Sequence, residues 1–352
     1  MSRADFRLSL VVPVYNEEES IDAFISAIDT ELAPLKDQLE IVFVNDGSRD
    51  RTREVVEQAI ARDPRVTLVN LARNFGKEAA MTAGLHQAKG DAIVPMDVDL
   101  QDPPSLILEF VKLWQTGDYD TVYGIRVDRS ADTPMKRLTA GGFYRFFNAL
   151  STSTKLPENA GDFRLIDRKV VEAIKQLPER NRFMKGLFAW AGFRAVGVPY
   201  ERPARHAGET KFNYWKLWNF ALDGLMSFSS WPLRVWSYIG VGVSFIAFLY
   251  ILKIITQVLF FGIDVPGYAS LMSVMLFLGG IQLLSLGIIG EYIGRMFVEV
   301  KQRPVYLIEG VYGQYAKQDE EQKQEEPTAS KKSAGKKAAA KAADDQQEQA
   351  SQ

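Results

Sequence analysis

Residues 92–104 read Ala-Ile-Val-Pro-Met-Asp-Val-Asp-Leu-Gln-Asp-Pro-Pro, and this stretch indicates both the fold and the position of its site. The apolar start predicts a short buried strand, and the double proline predicts a turn at its end. Asp97 and Asp99 lie two residues apart, so on a continuing strand their side chains share one face. With the amide oxygen of Gln101 they form an oxygen-rich set that suits Mg²⁺ or Mn²⁺. An exposed acidic turn would have the same composition, so the interpretation depends on the rest of the chain.

Length and composition restrict the class of protein. The chain has 352 residues, enough for more than one domain. Its formal net charge of −2 gives no indication of nucleic-acid binding. The sequence has no cysteine, which excludes disulfides and thiolate metal sites and fits a reducing compartment. Residues 1–6 are polar and carry both signs of charge, so we expect no secretory signal there.

Residues from about 8 to 125 alternate apolar strands with amphipathic helices. Repeated βα units predict a parallel sheet with helices on both faces, an α/β fold of the doubly wound, Rossmann-like kind. Ligands of such sheets bind at the carboxyl ends of the strands. Three polar clusters fall at those ends, at residues 15–18, 45–48 and 97–101.

The later part of the chain predicts a membrane anchor. Leu233–Phe261 and Ala269–Ile289 are each long and apolar enough to cross a ~30 Å hydrocarbon layer. The linker between them has one acid and no Lys or Arg, whereas the outer flanks are basic, so both termini are expected in the cytoplasm, at the inner membrane of the cell. Residues 215–228 are amphipathic and aromatic, which suits an interfacial helix or equally a core helix. Glycines near 279–294 permit close helix packing and favour a homo-oligomer.

We therefore divide the chain into five parts. They are a cytoplasmic catalytic domain (1–212), an amphipathic interfacial region (213–232), two transmembrane helices (233–292), a cytoplasmic juxtamembrane segment (293–315) and a disordered tail (316–352). The tail is rich in Lys, Glu, Gln and Ala and has almost no large apolar residue with which to form a core.

Several motifs occur in a specific order along the chain. They are Pro-Val-Tyr-Asn-Glu-Glu at 13–18, Asn-Asp-Gly-Ser at 45–48, Leu-Ala-Arg-Asn-Phe-Gly-Lys at 71–77, the acidic stretch at 97–104, Gly-Asp-Phe-Arg-Leu at 161–165 and Arg-His-Ala-Gly-Glu-Thr-Lys-Phe at 205–212. Together with two apolar segments, this set resembles glycosyltransferase family 2, and within it the polyprenyl-phosphate glycosyltransferases. The resemblance covers roughly residues 6–312. It implies a GT-A fold, a nucleotide-sugar donor and a polyprenyl phosphate acceptor in the bilayer.

The resemblance also implies roles for particular residues. The metal ligands would be Asp97, Asp99 and Gln101, and Asp99 also counts among the catalytic residues together with Asp162, Arg126 and Arg129. The donor would be bound by Pro13, Tyr15, Glu17, Asp46 and Lys77. Because two anionic groups must meet at the site, cations are required as well, and we expect Arg202, Arg205 and Lys211, in the loops around it, to bind the acceptor phosphate.

The chemistry of the acceptor affects the role expected of Asp162. A phosphate monoester has its second pKa at about 6, so at neutral pH it is already an anionic nucleophile and hardly needs a general base. We therefore expect Asp162 to orient substrate at least as much as to accept a proton.

The expected reaction is inverting transfer of a hexose, glucose from UDP-glucose, to polyprenyl (undecaprenyl) phosphate. GDP-mannose or a UDP-linked modified sugar is the alternative donor, and a non-catalytic flippase or transport subunit is the alternative of another class.

Overall fold

The computed structural model describes residue 3 and residues 5–127, 160–180, 182–201, 231–261 and 267–313. Some predictions lie outside these ranges: the roles of Arg129, Arg202, Arg205 and Lys211, nearly all of the interfacial region 213–232, and the tail 316–352.

An eight-stranded mixed sheet occupies the centre of the described part. Its strands are β1 (Leu8–Val14), β2 (Leu39–Asn45), β3 (Val66–Leu71), β4 (Ala92–Pro95), β5 (Thr121–Arg126), β6 (Ala160–Asp167), β7 (Ala195–Tyr200) and β8 (Ile308–Tyr312). Their order in the sheet is β7-β5-β6-β4-β1-β2-β3-β8. Strands β1 to β4 run parallel to one another, as the βα repeats predicted. Strand β6 is antiparallel to β4 and β5, and β8 is antiparallel to β3.

Helices cover both faces of the sheet because successive side chains of a strand point to opposite faces. These helices are α1 (Ile21–Glu31), α2 (Thr52–Arg62), α3 (Lys77–Gln87), α4 (Leu106–Gln115), α5 (Arg168–Lys175) and α6 (Met184–Trp190). In β1, Leu10 and Val12 pack in one hydrophobic cluster with residues of α1, α2 and α4, while Val11 packs in another with residues of α3, α5 and α6. The predicted α/β architecture is confirmed.

The antiparallel direction of β6 determines where Asp162 lies. Ala160 pairs with Ile125 at the end of β5, whereas Asp167 pairs with Ala92 at the start of β4. The beginning of β6 therefore lies at the sheet edge where the parallel strands end. Asp162 reaches the same edge as Asp97 although the two are far apart in sequence.

Two long helices follow the sheet strands, α7 (Trp231–Phe261) and α8 (Tyr268–Lys301). They include the two apolar segments predicted from the sequence. Within the described ranges, one stretch, Phe277–Lys301, is long and apolar enough to cross a membrane, and none of it is buried. Tyr238–Tyr250 is a shorter apolar stretch.

The structure differs from the predicted juxtamembrane segment 293–315. Helix α8 continues to Lys301, and after a short connection residues 308–312 form β8 at the edge of the sheet. The apolar side chains of Ile308 and Val311 pack against the cluster that contains Val69 and Leu71. Part of this segment therefore belongs to the fold of the catalytic domain, which the boundary at residue 212 had excluded.

Candidate active site

A pocket opens where β1 and β4 end, at the point where the strand order reverses. Sheets of this kind bind ligands at such a position. The lining includes four residues that the sequence analysis selected, Pro13, Asp97, Arg126 and Asp162. It also includes Asp102, which had been assigned no role, together with Met81, Pro95, Met96 and Phe163.

Lys77 connects two aspartates of this pocket. Its ammonium lies 2.6 Å from Asp97 Oδ1 and 3.8 Å from Asp162 Oδ2. Lys77 begins α3, directly after Gly76, whose φ of +96° turns the chain into the helix. Burial opposes the charge of the ammonium, but Asp97 and Asp162 outweigh it and raise the pKa of Lys77. Lys77 is thus a fixed cation at the pocket.

Asp162 is ionised in this setting. Burial alone would raise the pKa of its carboxyl group, but the charges of Lys185, Lys77, Arg164 and Arg126 lower it below its usual value. The Lys185 ammonium is 3.9 Å from Asp162 Oδ1. A group with a lowered pKa is a weak proton acceptor at neutral pH, so this environment favours an orienting or electrostatic role.

Arg126 is held by the buried pair Asp102 and Tyr200. The Tyr200 hydroxyl donates to Asp102 Oδ1 at 2.5 Å and accepts from Arg126 Nε at 3.2 Å. Arg126 Nη2 lies 3.8 Å from the same Asp102 oxygen. Burial and the Asp102 carboxylate raise the pKa of Tyr200 to about 12, so its hydroxyl stays protonated. Asp102 was missed because the acidic stretch that contains it indicates a metal site formed by other residues. Tyr200 was missed because it belongs to none of the motifs.

Asp46 supports the loop that leads to Lys77. It is 3% exposed, and its two carboxylate oxygens accept from the backbone N–H groups of Phe75 at 2.7 Å and Gly76 at 2.9 Å. Burial raises the pKa of Asp46, against the effect of these two hydrogen bonds. Gly47 is required beside it, since a Cβ there would lie 2.5 Å from the backbone carbon of Arg73. The predicted donor-binding role of Asp46 remains a prediction; its described contacts are structural.

Tyr15 and Glu17 lie in the loop after β1 and do not line the pocket. This loop is fastened to the loop after β2: Asn16 N–H donates to Ser48 Oγ at 3.0 Å, and Glu17 N–H donates to Thr52 Oγ1 at 2.9 Å. Asn16 has a left-handed φ of +54°, a conformation that asparagine tolerates. Two polar clusters predicted at neighbouring strand ends are therefore adjacent.

The loop after β4 carries the predicted metal ligands Asp97, Asp99 and Gln101. Leu100 has a φ of +53°, which for a leucine costs on the order of 1–3 kcal/mol and is typical of residues in functional loops. Gln101 is buried, and its N–H donates to Asp99 Oδ1 at 3.2 Å. Among the described residues, no group of three or more carboxylate or imidazole side chains is arranged to hold a metal ion.

Glu78 and Lys185 were not identified from the sequence. The Glu78 carboxylate accepts from the N–H of Met184 at 2.9 Å, which fastens the start of α6 to α3. Burial, together with the charge of Asp162, raises the pKa of Glu78 to about 7. No local pattern relates these residues, since the contact joins segments 106 residues apart.

Known proteins are similar in sequence to most of this chain. Residues 9–175 match the glycosyl transferase family 2 model, and residues 231–296 match the GtrB C-terminal hairpin. A prophage-derived bactoprenol glucosyl transferase of Shigella flexneri is 52% identical over 305 residues, which are 86% of this chain and 97% of that protein. A prophage bactoprenol glucosyl transferase homolog of Escherichia coli is 51% identical over 306 residues, 87% of this chain and 99% of that protein.

A solved structure is also similar. Glucosyl-3-phosphoglycerate synthase from Mycobacterium tuberculosis, in complex with Mn²⁺, UDP and phosphoglyceric acid, is 19% identical, with a TM-score of 0.42. The match covers 64% of this chain and 78% of that chain. The extent of the two bactoprenol relatives and the family model together decide the family. This chain belongs to glycosyl transferase family 2 and is a glycosyltransferase of the GT-A fold.

Proposed function

We propose that this enzyme transfers glucose from UDP-glucose to a polyprenyl phosphate, with inversion at the anomeric carbon. The observation that carries the proposal is the identity of 52% with a bactoprenol glucosyl transferase along 97% of that protein. The match includes the C-terminal helix pair as well as the sheet domain. An enzyme that acts on a lipid acceptor needs both parts, one to bind the nucleotide sugar and one to reach the bilayer.

The loop after β4 fits a divalent cation that is held by few protein ligands. The Asp97 carboxylate is paired with the Lys77 ammonium at 2.6 Å, so a divalent ion would bind this carboxylate in place of that ammonium. Mg²⁺ is commonly bound by one or two carboxylates with substrate phosphates as the other ligands, which agrees with the small donor set here. Asp97, Asp99 and Gln101 would hold the ion, Mg²⁺ or Mn²⁺. When bound, it would stabilise negative charge on the leaving diphosphate.

Inversion follows from a single displacement. An oxygen of the polyprenyl phosphate forms the new bond to the anomeric carbon on one face, while the bond to the diphosphate breaks on the other. The electron pair of the broken bond stays on the nucleoside diphosphate. The attacking oxygen is anionic, so no proton has to be removed during the step. Asp162, ionised and flanked by Lys77 and Lys185, is suited to orient the substrates and to stabilise positive character on the sugar.

Cations are needed because two anionic substrates meet. Arg126 lies in the pocket wall, where its guanidinium can bind phosphate oxygens in a bidentate manner. The other proposed phosphate-binding residues are Arg129, Arg202, Arg205 and Lys211, as expected from the sequence.

The lipid acceptor accounts for the exposed apolar surface of α7 and α8. Large apolar side chains such as Phe245, Phe248, Phe277 and Leu283 are more than half exposed. A surface of this kind is stable in hydrocarbon and unfavourable in water. We propose that both helices lie in the membrane and that the sheet domain works at its cytoplasmic surface.

The experiment is a donor panel with the full chain in detergent or proteoliposomes and undecaprenyl phosphate as acceptor. UDP-glucose, GDP-mannose and UDP-linked amino sugars are compared by release of nucleoside diphosphate and by formation of a lipid-linked sugar. We expect UDP-glucose to give the highest kcat/KM, and NMR of the product to show a β-linked glucose, inverted from the α-linked donor. Retention of configuration, or a lipid product formed only with another donor, would contradict the proposal.

A further inference from the structure

Three aspartates of the pocket each face a cation from another part of the fold. Asp97 faces Lys77, Asp102 faces Arg126, and Asp162 faces both Lys77 and Lys185. The contact of Lys185 is the longest of these, at 3.9 Å, and is too long for a hydrogen bond. The facing oxygen, Asp162 Oδ1, is buried and accepts no hydrogen bond within the described part of the chain. Lys185 thus lies next to Asp162, although it is not itself a lining residue of the pocket, and it makes no close hydrogen bond to this carboxylate.

The backbone that carries Lys185 is firmly held. The preceding residue, Met184, is fully buried and donates its N–H to Glu78 at 2.9 Å. The following turn of α6 packs Leu187 and Phe188 into the cluster that contains Met81 and Leu85 of α3. Since α3 also begins with Lys77, the two ammonium groups are positioned by one pair of packed helices.

The partial burial of Lys185 costs free energy unless a partner compensates for the hydration that its ammonium loses. Its side chain is 24% exposed, and a partly buried lysine loses hydration that a 3.9 Å contact restores only in part. The glycosyl transfer brings a diphosphate and a phosphate monoester together in this pocket, so uncompensated negative charge would be repulsive. A phosphate oxygen is a stronger partner for an ammonium than a distant carboxylate, because the hydrogen bond is then charge-assisted and short.

We propose that Lys185 is a further substrate-binding residue, whose ammonium binds a phosphate oxygen of one of the two anionic substrates, and that Glu78 is the residue that positions it. This inference rests on the proposed function for the identity of the substrates. The shared chemistry is a phosphate oxyanion, supplied either by the diphosphate of the donor or by the phosphate monoester of the acceptor. When Lys185 binds a phosphate oxygen, Asp162 stays at the reacting centre and still faces the ammonium of Lys77.

The test measures binding and turnover of Lys185→Ala and Lys185→Arg in the full-length protein in detergent. The binding probes are UDP and a short-chain polyprenyl phosphate, each titrated by calorimetry. Lys175→Ala is the matched control, because Lys175 is 26% exposed, close to the 24% of Lys185, and pairs with Glu172 at 2.7 Å on α5 instead of with a pocket aspartate. Thermal melting of every variant establishes that it is folded.

We expect Lys185→Ala to weaken binding of one probe by about tenfold or more, while Lys185→Arg retains most of the affinity and Lys175→Ala is unchanged. Loss of UDP affinity alone assigns the contact to the donor, and loss of polyprenyl phosphate affinity alone assigns it to the acceptor. Unchanged affinity for both probes in a folded, Lys185→Ala protein overturns the proposal. If the wild type binds neither probe, the proposed function itself is wrong.

Glu78 is tested by two substitutions that differ in one property. Glu78→Gln keeps an oxygen that can accept from the Met184 N–H, whereas Glu78→Ala removes it. We expect Glu78→Ala to raise KM for the same substrate as Lys185→Ala with a smaller effect on kcat, and Glu78→Gln to stay near the wild type. The double variant with Lys185→Ala should be no worse than Lys185→Ala alone. Additive losses in the double variant would show that Glu78 acts independently of Lys185.

Discussion

Asp97 is the residue on which the proposed metal chemistry most depends, and its present partner is an ammonium. Asp97→Asn keeps the size of the side chain but removes the charge that would hold a divalent ion. We expect kcat/KM to fall by about 100-fold or more, with weaker UDP-glucose binding and an unchanged melting temperature. The wild type should lose activity in EDTA and regain it with Mg²⁺ or Mn²⁺.

Asp118→Asn is the control for this prediction, since Asp118 is an exposed acid on a turn outside the pocket. It should leave the rate and the metal requirement unchanged. Full wild-type activity in chelator, measured after the protein has been dialysed against EDTA, would exclude the metal role.

Asp162 and Arg126 separate proton transfer from electrostatic positioning. The cations around Asp162 lower its pKa, so it is ionised throughout pH 6–8 and should add no titration to the rate in that range. Asp162→Asn keeps the shape and should retain measurable activity. Arg126→Ala removes the guanidinium that faces the Asp102 carboxylate and that would bind phosphate, and we expect it to reduce kcat/KM at least as much.

The measurement is kcat/KM of the wild type and both variants from pH 6 to 8, with Arg62→Ala, an exposed arginine paired with Asp22, as the control. Arg205→Ala should behave like Arg126→Ala if it binds the acceptor phosphate. Two results together would show that Asp162 is a general base. Asp162→Asn would be the one inactive variant of those tested, and the wild-type rate would rise through one ionisation within this pH range.

At the scale of single residues, four of the predicted site residues, Pro13, Asp97, Arg126 and Asp162, line the pocket, and their roles stay predictions. How the residues around the pocket are held could not be predicted. Asp46, in contrast, has both oxygens bound to backbone N–H groups, a contact that no motif reveals. Lys185 was missed because its position depends on the packing of α6 on α3, which a single sequence does not specify.

At the scale of elements, β8 is the least expected feature. Ile308–Tyr312 is short and contains a glycine and a glutamate, so its pattern is weak beside that of the buried parallel strands. Its pairing with β3 is fixed by long-range contacts instead. Asn70 Nδ2 donates to Glu309 at 2.7 Å, and Arg53 donates to the Tyr312 hydroxyl at 3.0 Å. Similarly, the direction of β6 depends on its antiparallel pairing with β4 and β5, which local periodicity cannot predict.

Truncation tests whether β8 belongs to the catalytic domain. A chain that ends at residue 301 exposes the edge of β3 and the apolar surface under Ile308 and Val311. We expect its melting temperature to fall by about 5 °C or more, since 1 kcal/mol corresponds to about 2–4 °C for a domain of this size. A chain that ends at residue 313 keeps β8 and should melt and react like the full chain. Equal melting of the two truncated chains would show that β8 adds no stability.

At the scale of the whole molecule, the sheet restricts the topology of the helix pair. Strands β1 to β7 precede α7 and α8, and β8 follows them, yet all belong to one sheet. A sheet cannot be divided by a bilayer, so the chain between β7 and β8 must cross the membrane an even number of times. Within the described ranges, one stretch, Phe277–Lys301, meets the length and apolarity criterion, and a crossing by this stretch would require a second crossing. Helix α7, with 31 residues and a length of about 46 Å, is long enough to provide it.

The charges that flank α7 and α8 predict the orientation of these two helices in the membrane. The connection 262–267 contains Asp264 and no Lys or Arg, whereas Arg234, Arg295, Lys301 and Arg303 lie toward the outer ends of the helices. We expect reporters fused at residue 1 and residue 352 to be cytoplasmic, and a cysteine introduced at residue 264 to react with an impermeant maleimide from outside intact cells. The chain has no native cysteine, so the labelling is free of background. A cysteine introduced at Asp118, in the sheet domain, is the matched control and should react only after the cells are opened. Labelling of both positions, or of neither, before lysis would contradict the two-span arrangement. Without any crossing, residue 264 would stay on the cytoplasmic side. A single crossing would separate β8 from the rest of the sheet.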